Sequence, residues 1–171
     1  MYLINDNTTE LLNLINERAL QIIILCLISM FSCQIIKCII MSCRQKTFVY
    51  PALYTTGGFP SSHTSICVTL VTSLFLFQLH DLGGKIDWSL AVAVIFSIIT
   101  IHDAMGVRLE ASKHAKILNN LTSDIPLEEK KSMGFGKKGF LKEMLGHKGF
   151  EVLGGIIFGI LVGLIGYLIF V

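Results

Sequence analysis

The chain has 171 residues, 53% of them hydrophobic and only 15% charged, with a mean hydropathy of +0.68. An average soluble domain carries about 25% charged residues, so a water-soluble globule and a disordered tail are excluded. A net charge of +2 is too small for a basic nucleic-acid-binding domain, and no nucleic-acid partner is expected.

The first apolar block runs from about Ala19 to Ile40, interrupted by Gln21, Gln34 and Lys37. About 20 apolar residues suffice to cross a bilayer as a helix. Lys37, close to the block's end, is placed to snorkel towards the interface. The run is too long for a signal peptide, and the residues before it include Asp6, Glu10 and Glu17 with Arg18 alone for balance. Residues 1–18 therefore read as a short tail, and 19–171 as one membrane-embedded domain. Comparable blocks cover about Ser62–Leu79, Trp88–Ile101 and Val152–Val171, the last without a single charge. Trp88 suits an interfacial anchor. The expected fold is all-α, a polytopic membrane bundle of about four transmembrane helices plus cytoplasmic amphipathic helices. One of these covers Arg108–Asn120. Residues 122–138, with Pro126 and several glycines, read as loop, and a second short helix is expected from about Phe140 towards Gly146. Cys26, Cys33, Cys38, Cys43 and Cys67 fall in or at the edge of apolar blocks and match neither a disulfide framework nor a zinc spacing; they read as buried free thiols.

Four alternating spans put both termini and loop 80–87 on one side, and loops 41–61 and 102–151 on the other. Arg18 and Lys85 are the only basic residues on the first side; the other twelve of the fourteen Lys and Arg, counting Lys37, lie on the second. The positive-inside rule then predicts extracytoplasmic termini and cytoplasmic long loops, in a bacterial cytoplasmic membrane.

On this topology His63, Asp103, His147 and Glu151, each at a span end, share one membrane face. Ionisable groups brought to one depth by three spans predict a common site. In Gly57-Gly58-Phe59-Pro60-Ser61-Ser62-His63 the glycines permit a tight turn and Pro60 suits a helix's first turn. Ser61 or Ser62 can cap that helix, and a capped helix N-terminus offers donors to phosphate oxygens; plain capping is the rival reading. His147 and Glu151, four apart, share a helix face. A carboxylate on one ring nitrogen fixes the tautomer and leaves the other nitrogen free to attack phosphorus. An ordinary solvated i,i+4 pair is the alternative.

These residues resemble a family. Pro60-Ser61-Ser62-His63 is similar to the Pro-Ser-Gly-His motif of the type 2 phosphatidic acid phosphatase superfamily, and His147 with Glu151 to its His-x-x-x-Asp motif. The closer resemblance is to the divergent, acid phosphatase/vanadium-dependent haloperoxidase-related branch. Its three ordered motifs are matched at Gly57–His63, Asp103–Arg108 and Gly146–Val152, and the resemblance covers about residues 20–171. Departures from the parent pattern are Glu151 for Asp, Leu141 for an Arg with Lys142 adjacent, and Tyr50 for the Arg expected between Lys46 and Pro51.

The resemblance implies an integral-membrane lipid phosphatase acting without a cofactor on a lipid monophosphate or diphosphate such as phosphatidylglycerophosphate, phosphatidate or a polyprenyl diphosphate. It makes His147 the nucleophile, Glu151 its orienting carboxylate and His63 the proton donor. Ser61, Ser62, Lys46, Arg108 and Lys142 become candidates for holding phosphoryl oxygens. Asp103 either positions charge, by pairing with Arg108 or capping the cytoplasmic helix, or helps hold Mg²⁺ with Glu151 in a metal-assisted hydrolase. A non-enzymatic lipid or phosphate transporter, or a binding subunit on the same scaffold, is the remaining alternative. The Gly155-x-x-x-Gly159-x-x-x-Gly163 stripe predicts close helix contact, within the chain or in a homo-oligomer.

Overall fold

No proline or glycine occurs before Pro51, and nothing interrupts helical hydrogen bonding across the first apolar block. The result is one continuous helix, α1 (Asp6–Gln45), in a computed structural model that describes residues 6–48, 57–136, 138–143 and 146–171. Part of the expected N-terminal tail, from Asp6 onward, is thus helical. Tyr50 and Pro51 lie outside the described residues. At 1.5 Å per residue, the 40 residues of α1 reach about 60 Å, twice the hydrocarbon thickness of a bilayer. The other long helices are α2 (Ser62–Asp81), α3 (Trp88–Met105), α4 (Val107–Leu121) and α6 (Gly149–Phe170), with the six-residue α5 (Leu127–Ser132) between the last two. Four helical stretches are long and apolar enough to cross a membrane, and this is an integral membrane protein of all-helical architecture.

Two local expectations are corrected. The stretch 122–138 is not all loop: α5 forms within it, with Glu128 and Glu129 in its first turn and Lys130 and Lys131 in its last, an order that complements the helix dipole. The segment from Phe140 to Gly146 is not helical where it is described. Asn119 explains this, because its side chain accepts the Leu141 N–H at 2.8 Å and donates to the Leu141 carbonyl at 3.0 Å. Its amide also reaches Glu143 Oε1 at 2.7 Å. Both backbone groups of Leu141 are thereby taken by α4. Met144 and Leu145 lie outside the described residues.

α2 is the central helix, packed against α6, α1 and α3. Its contact with α6 depends on absent side chains. A Cβ at Gly159 would stand 2.7 Å from the Ser65 carbonyl oxygen, and one at Gly163 would stand 2.8 Å from Thr72 Cβ. The glycine stripe is therefore consumed inside the chain, against α2, and is not a face offered to a second copy. Beside it, Ser29 Oγ meets Ser65 Oγ, and Thr69 Oγ1 donates to Ser29 Oγ at 2.9 Å. Large apolar side chains such as Phe31, Ile95, Ile99, Leu153 and Ile157 point outward. Small residues inside and large apolar ones outside are what a lipid solvent favours, since hydrocarbon does not drive apolar groups inward.

The two ends of the bundle differ. At one, Arg18 forms two hydrogen bonds to Asp81, at 2.7 and 3.0 Å, and a third to the Phe170 carbonyl at 3.2 Å. This joins α1, α2 and the end of α6. Lys37 lies nineteen residues further along α1, about 28 Å away, the thickness of the hydrocarbon core. Lys37 thus marks the opposite end, where the histidines are. Of the cysteines, Cys26, Cys33, Cys38 and Cys67 are buried and in no disulfide, as expected, but Cys43, two residues before the end of α1, is exposed.

Candidate active site

Three backbone junctions assemble the site. Ser61, with extended backbone, caps α2: its hydroxyl accepts the Thr64 N–H at 3.3 Å and the Thr64 hydroxyl at 2.9 Å. Pro60 precedes this cap and is outside the helix, not in its first turn as its position suggested. The Ser61 N–H donates to the Glu151 carbonyl at 2.9 Å, pinning the start of α2 to the start of α6. The His147 N–H donates to the Ala104 carbonyl at 2.9 Å, pinning the segment before α6 to α3. Gly146 makes this approach possible. Its φ is +76°, and a Cβ there would stand 2.5 Å from the Leu109 nitrogen, so side chains are excluded on both counts.

His147 and His63 consequently meet, with ring centroids 5.9 Å apart in an edge-to-face arrangement. His147 is 1% exposed. Its Nδ1 lies 3.0 Å from Glu151 Oε2, which also accepts the Lys148 N–H at 3.2 Å. Since an ionised carboxylate only accepts, the proton belongs on Nδ1 and the lone pair on Nε2. That Nε2 is buried and has no partner among the described residues. Burial pushes the proton affinity of His147 below the ordinary imidazole range. The Glu151 carboxylate opposes this, while the positive charges of Lys37 and Arg108 reinforce it. A neutral ring with an unprotonated Nε2 has the lone pair that nucleophilic chemistry requires.

The flanking charges are arranged differently from the sequence-based expectation. Arg108 Nε pairs with Asp103 Oδ2 at 2.5 Å, the pairing named among the alternatives for Asp103. Among the described residues no three His, Cys, Asp or Glu side chains gather as a metal-binding group. Lys46 and Lys142 are exposed and do not line the cavity beside Glu151. That cavity, about 470 Å³, is bounded instead by Lys37, Arg44 and Lys148 together with Phe59, Leu109 and Glu151. The Phe59 and Phe150 rings stack at its rim, 5.1 Å apart and nearly parallel.

Lys37 is the main correction. It does not snorkel: it is 1% exposed, and its ammonium donates to Ser62 Oγ at 3.4 Å. A signal was present in the sequence, because Cys26, Ser29, Cys33 and Lys37 recur at helical spacing along one face of α1. That small, polar face is the one turned into the bundle.

Four helices long and apolar enough to cross a membrane, with a buried His147 held by Glu151 beside His63 at one end, define an integral membrane protein with a histidine pair at that end. The chain belongs to the divergent PAP2 family, whose model matches residues 19–162. It is 34% identical over 138 residues to a Bacillus subtilis (strain 168) protein named uncharacterized membrane protein YuiD, a match covering 77% of this chain and 84% of that one. No solved structure matches it.

Proposed function

We propose that the protein is a lipid phosphatase that removes a phosphoryl group from a membrane lipid monophosphate or diphosphate at the cytoplasmic face, through a phosphohistidine. The observation that carries this reading is the state of His147: oriented by Glu151 through Nδ1, with a buried, unpartnered Nε2 beside the ring of His63. Family membership supports the phosphatase-related class.

The two steps follow from these positions. Nε2 of His147 attacks phosphorus, and the bond from phosphorus to the lipid oxygen breaks. His63 donates a proton to the departing oxygen, releasing the lipid alcohol, or the lipid monophosphate where the substrate is a diphosphate. During this step Nδ1–H stays on the Glu151 carboxylate, which balances the positive charge the ring acquires. Water then attacks the phosphohistidine, His63 takes its proton, and the N–P bond breaks to give inorganic phosphate and neutral His147. Ser62 and Arg108 are the candidates for stabilising the transferring oxygens in this scheme.

Purified protein should release phosphate from such a lipid, and His147→Ala should abolish the release. Full activity in that variant removes the nucleophile assignment. Chelation by EDTA should leave the rate unchanged; a loss restored by Mg²⁺ assigns a metal-assisted route instead. A wild-type protein that binds the lipid phosphate but never turns it over is a binding subunit.

A further inference from the structure

Lys37 presents a problem of charge. It is among the largest fully buried side chains of the molecule, and it lies within a membrane-crossing helix. Among the described residues no carboxylate stands within ion-pair distance of its ammonium; its contact is the neutral Ser62 hydroxyl. Glu151, the nearby acid whose charge it feels, is already committed to His147 Nδ1 and to the Lys148 N–H. A buried ammonium without an anion is expensive, and in a membrane protein such groups mark ligand or ion sites.

The surroundings indicate what is missing. Ser62 Oγ accepts from Lys37 and, at 3.4 Å, from Gln34 Nε2, so its own hydroxyl proton remains to be donated elsewhere. Gln34 Oε1 and His147 Nε2 are two of the three buried side-chain atoms without partners among the described residues. Of these open valences, Gln34 Oε1 and the His147 Nε2 lone pair are acceptors, whereas the Lys37 ammonium and the Ser62 hydroxyl are the donors that an anion would meet. Lys37 also borders the cavity, seven residues and about 10 Å deeper along α1 than Arg44.

We propose that Lys37 is the anion anchor of the site, its ammonium binding an oxygen of a phosphoryl group while Ser62 donates to the same group. The ligand class is a phosphate monoester or free phosphate, held where the Lys37 ammonium meets the Ser62 hydroxyl. The assignment rests on the reading of the centre as one of phosphoryl transfer. Lys37 touches substrate in this arrangement and is thus a catalytic residue, supplying the buried positive charge that the exposed Lys46 and Lys142 do not bring to the cavity. Its charge has a second effect: it works against protonation of His147 and so helps keep the nucleophile neutral.

The test uses the full chain in detergent and reads thermal unfolding against three additions: orthophosphate, mixed micelles of a lysophosphatidate, and micelles of the matching neutral monoacylglycerol. Orthophosphate should stabilise the wild-type protein and the neutral lipid should not. Stabilisation by the lipid phosphate as well shows that the headgroup is gripped while attached to its tail; stabilisation by orthophosphate alone assigns the anchor to released phosphate. Lys37→Met should weaken phosphate binding by about ten- to a hundredfold, the value of a hydrogen bond to a charged group. Lys37→Arg should largely restore it. If Lys37→Met does not fold, Lys37→Gln, which keeps a polar tip against Ser62, is read in the same way. The proposal is overturned if phosphate fails to stabilise the wild-type protein, or if Met and Gln variants bind as wild type does. His147→Ala separates the two readings: turnover persisting in it removes the nucleophile, whereas Lys37-dependent phosphate binding is judged on the unfolding curves alone.

Discussion

His147 is hidden and kept neutral by the same burial. Attack by Nε2 needs the unprotonated ring, and burial moves its protonation below the ordinary value of about 6.5. The limb of the phosphate-release profile that this ring governs should therefore lie below pH 6.5, where protonation of Nε2 lowers the rate, as a profile under saturating substrate will show. Stability follows the same sign. A ring harder to protonate folded than unfolded contributes fully above about pH 6.5, and its contribution is lost as pH falls below that value and the unfolded chain takes up the proton. His147→Gln should shrink the difference between unfolding temperatures at pH 7.5 and 5.5. Glu151→Gln tests the other half of the dyad. The amide oxygen still accepts Nδ1–H, but the charge that balances the phosphorylated ring is gone, so kcat should fall by about a hundredfold or more with KM little changed.

At the level of elements, the close fit of α6 on α2 makes glycine at its contact points a requirement of packing. Gly159→Val places a Cβ at 2.7 Å from the Ser65 carbonyl oxygen and adds two methyl groups beyond it. Overpacking of this kind costs about 1–3 kcal/mol, which for a chain of this size lowers the unfolding temperature by about 2–4 °C per kcal/mol. Differential scanning of the purified variant against wild type measures it, and an unchanged Tm would mean that the two helices do not approach this closely. The spans themselves were readable because long apolar runs carry their own signal. Their faces were harder. The glycine stripe announced a close contact without naming its partner, and the partner is α2. The residues 140–143 look capable of helix until Asn119, more than twenty positions earlier, takes both backbone groups of Leu141. α5 escaped notice for the converse reason, since Pro126 and the neighbouring glycines suggest loop while four charged residues in dipole order favour one short helix. For Lys37, closeness to the end of the apolar block points to the interface, but the face it shares with Cys26, Ser29 and Cys33 turns it into the bundle. The histidines and Glu151 were legible because they sit in short motifs whose geometry is local to a helix start. The cations that line the cavity come from α1 and from Lys148, and only tertiary packing selects them over Lys46 and Lys142.

For the molecule as a whole, the bundle has a clasped end and a histidine-bearing end. Arg18 binds Asp81 and the Phe170 carbonyl at the first; Lys37, His63, His147 and the Arg108–Asp103 pair gather at the second. The positive-inside rule predicts which end faces the cytoplasm: with four alternating spans in the sequence, twelve of the fourteen Lys and Arg fall on the side of the two histidines. Cys43 provides a native probe of this orientation. It is exposed, it is six residues past Lys37 on α1, and the cysteines at positions 26, 33, 38 and 67 are buried. A membrane-impermeant maleimide applied to intact bacterial cells should leave the protein unmodified. Applied to inverted membrane vesicles, the same reagent should label it once, and Cys43→Ser should remove that label. Labelling of Cys43 from outside intact cells would reverse the bundle, and the phosphoryl chemistry with it would belong to the outer leaflet. An inward orientation has a chemical corollary. On the proposed reaction, phosphate cut from a lipid headgroup at this end would be released into the cytoplasm, while the dephosphorylated lipid would remain in the leaflet facing it.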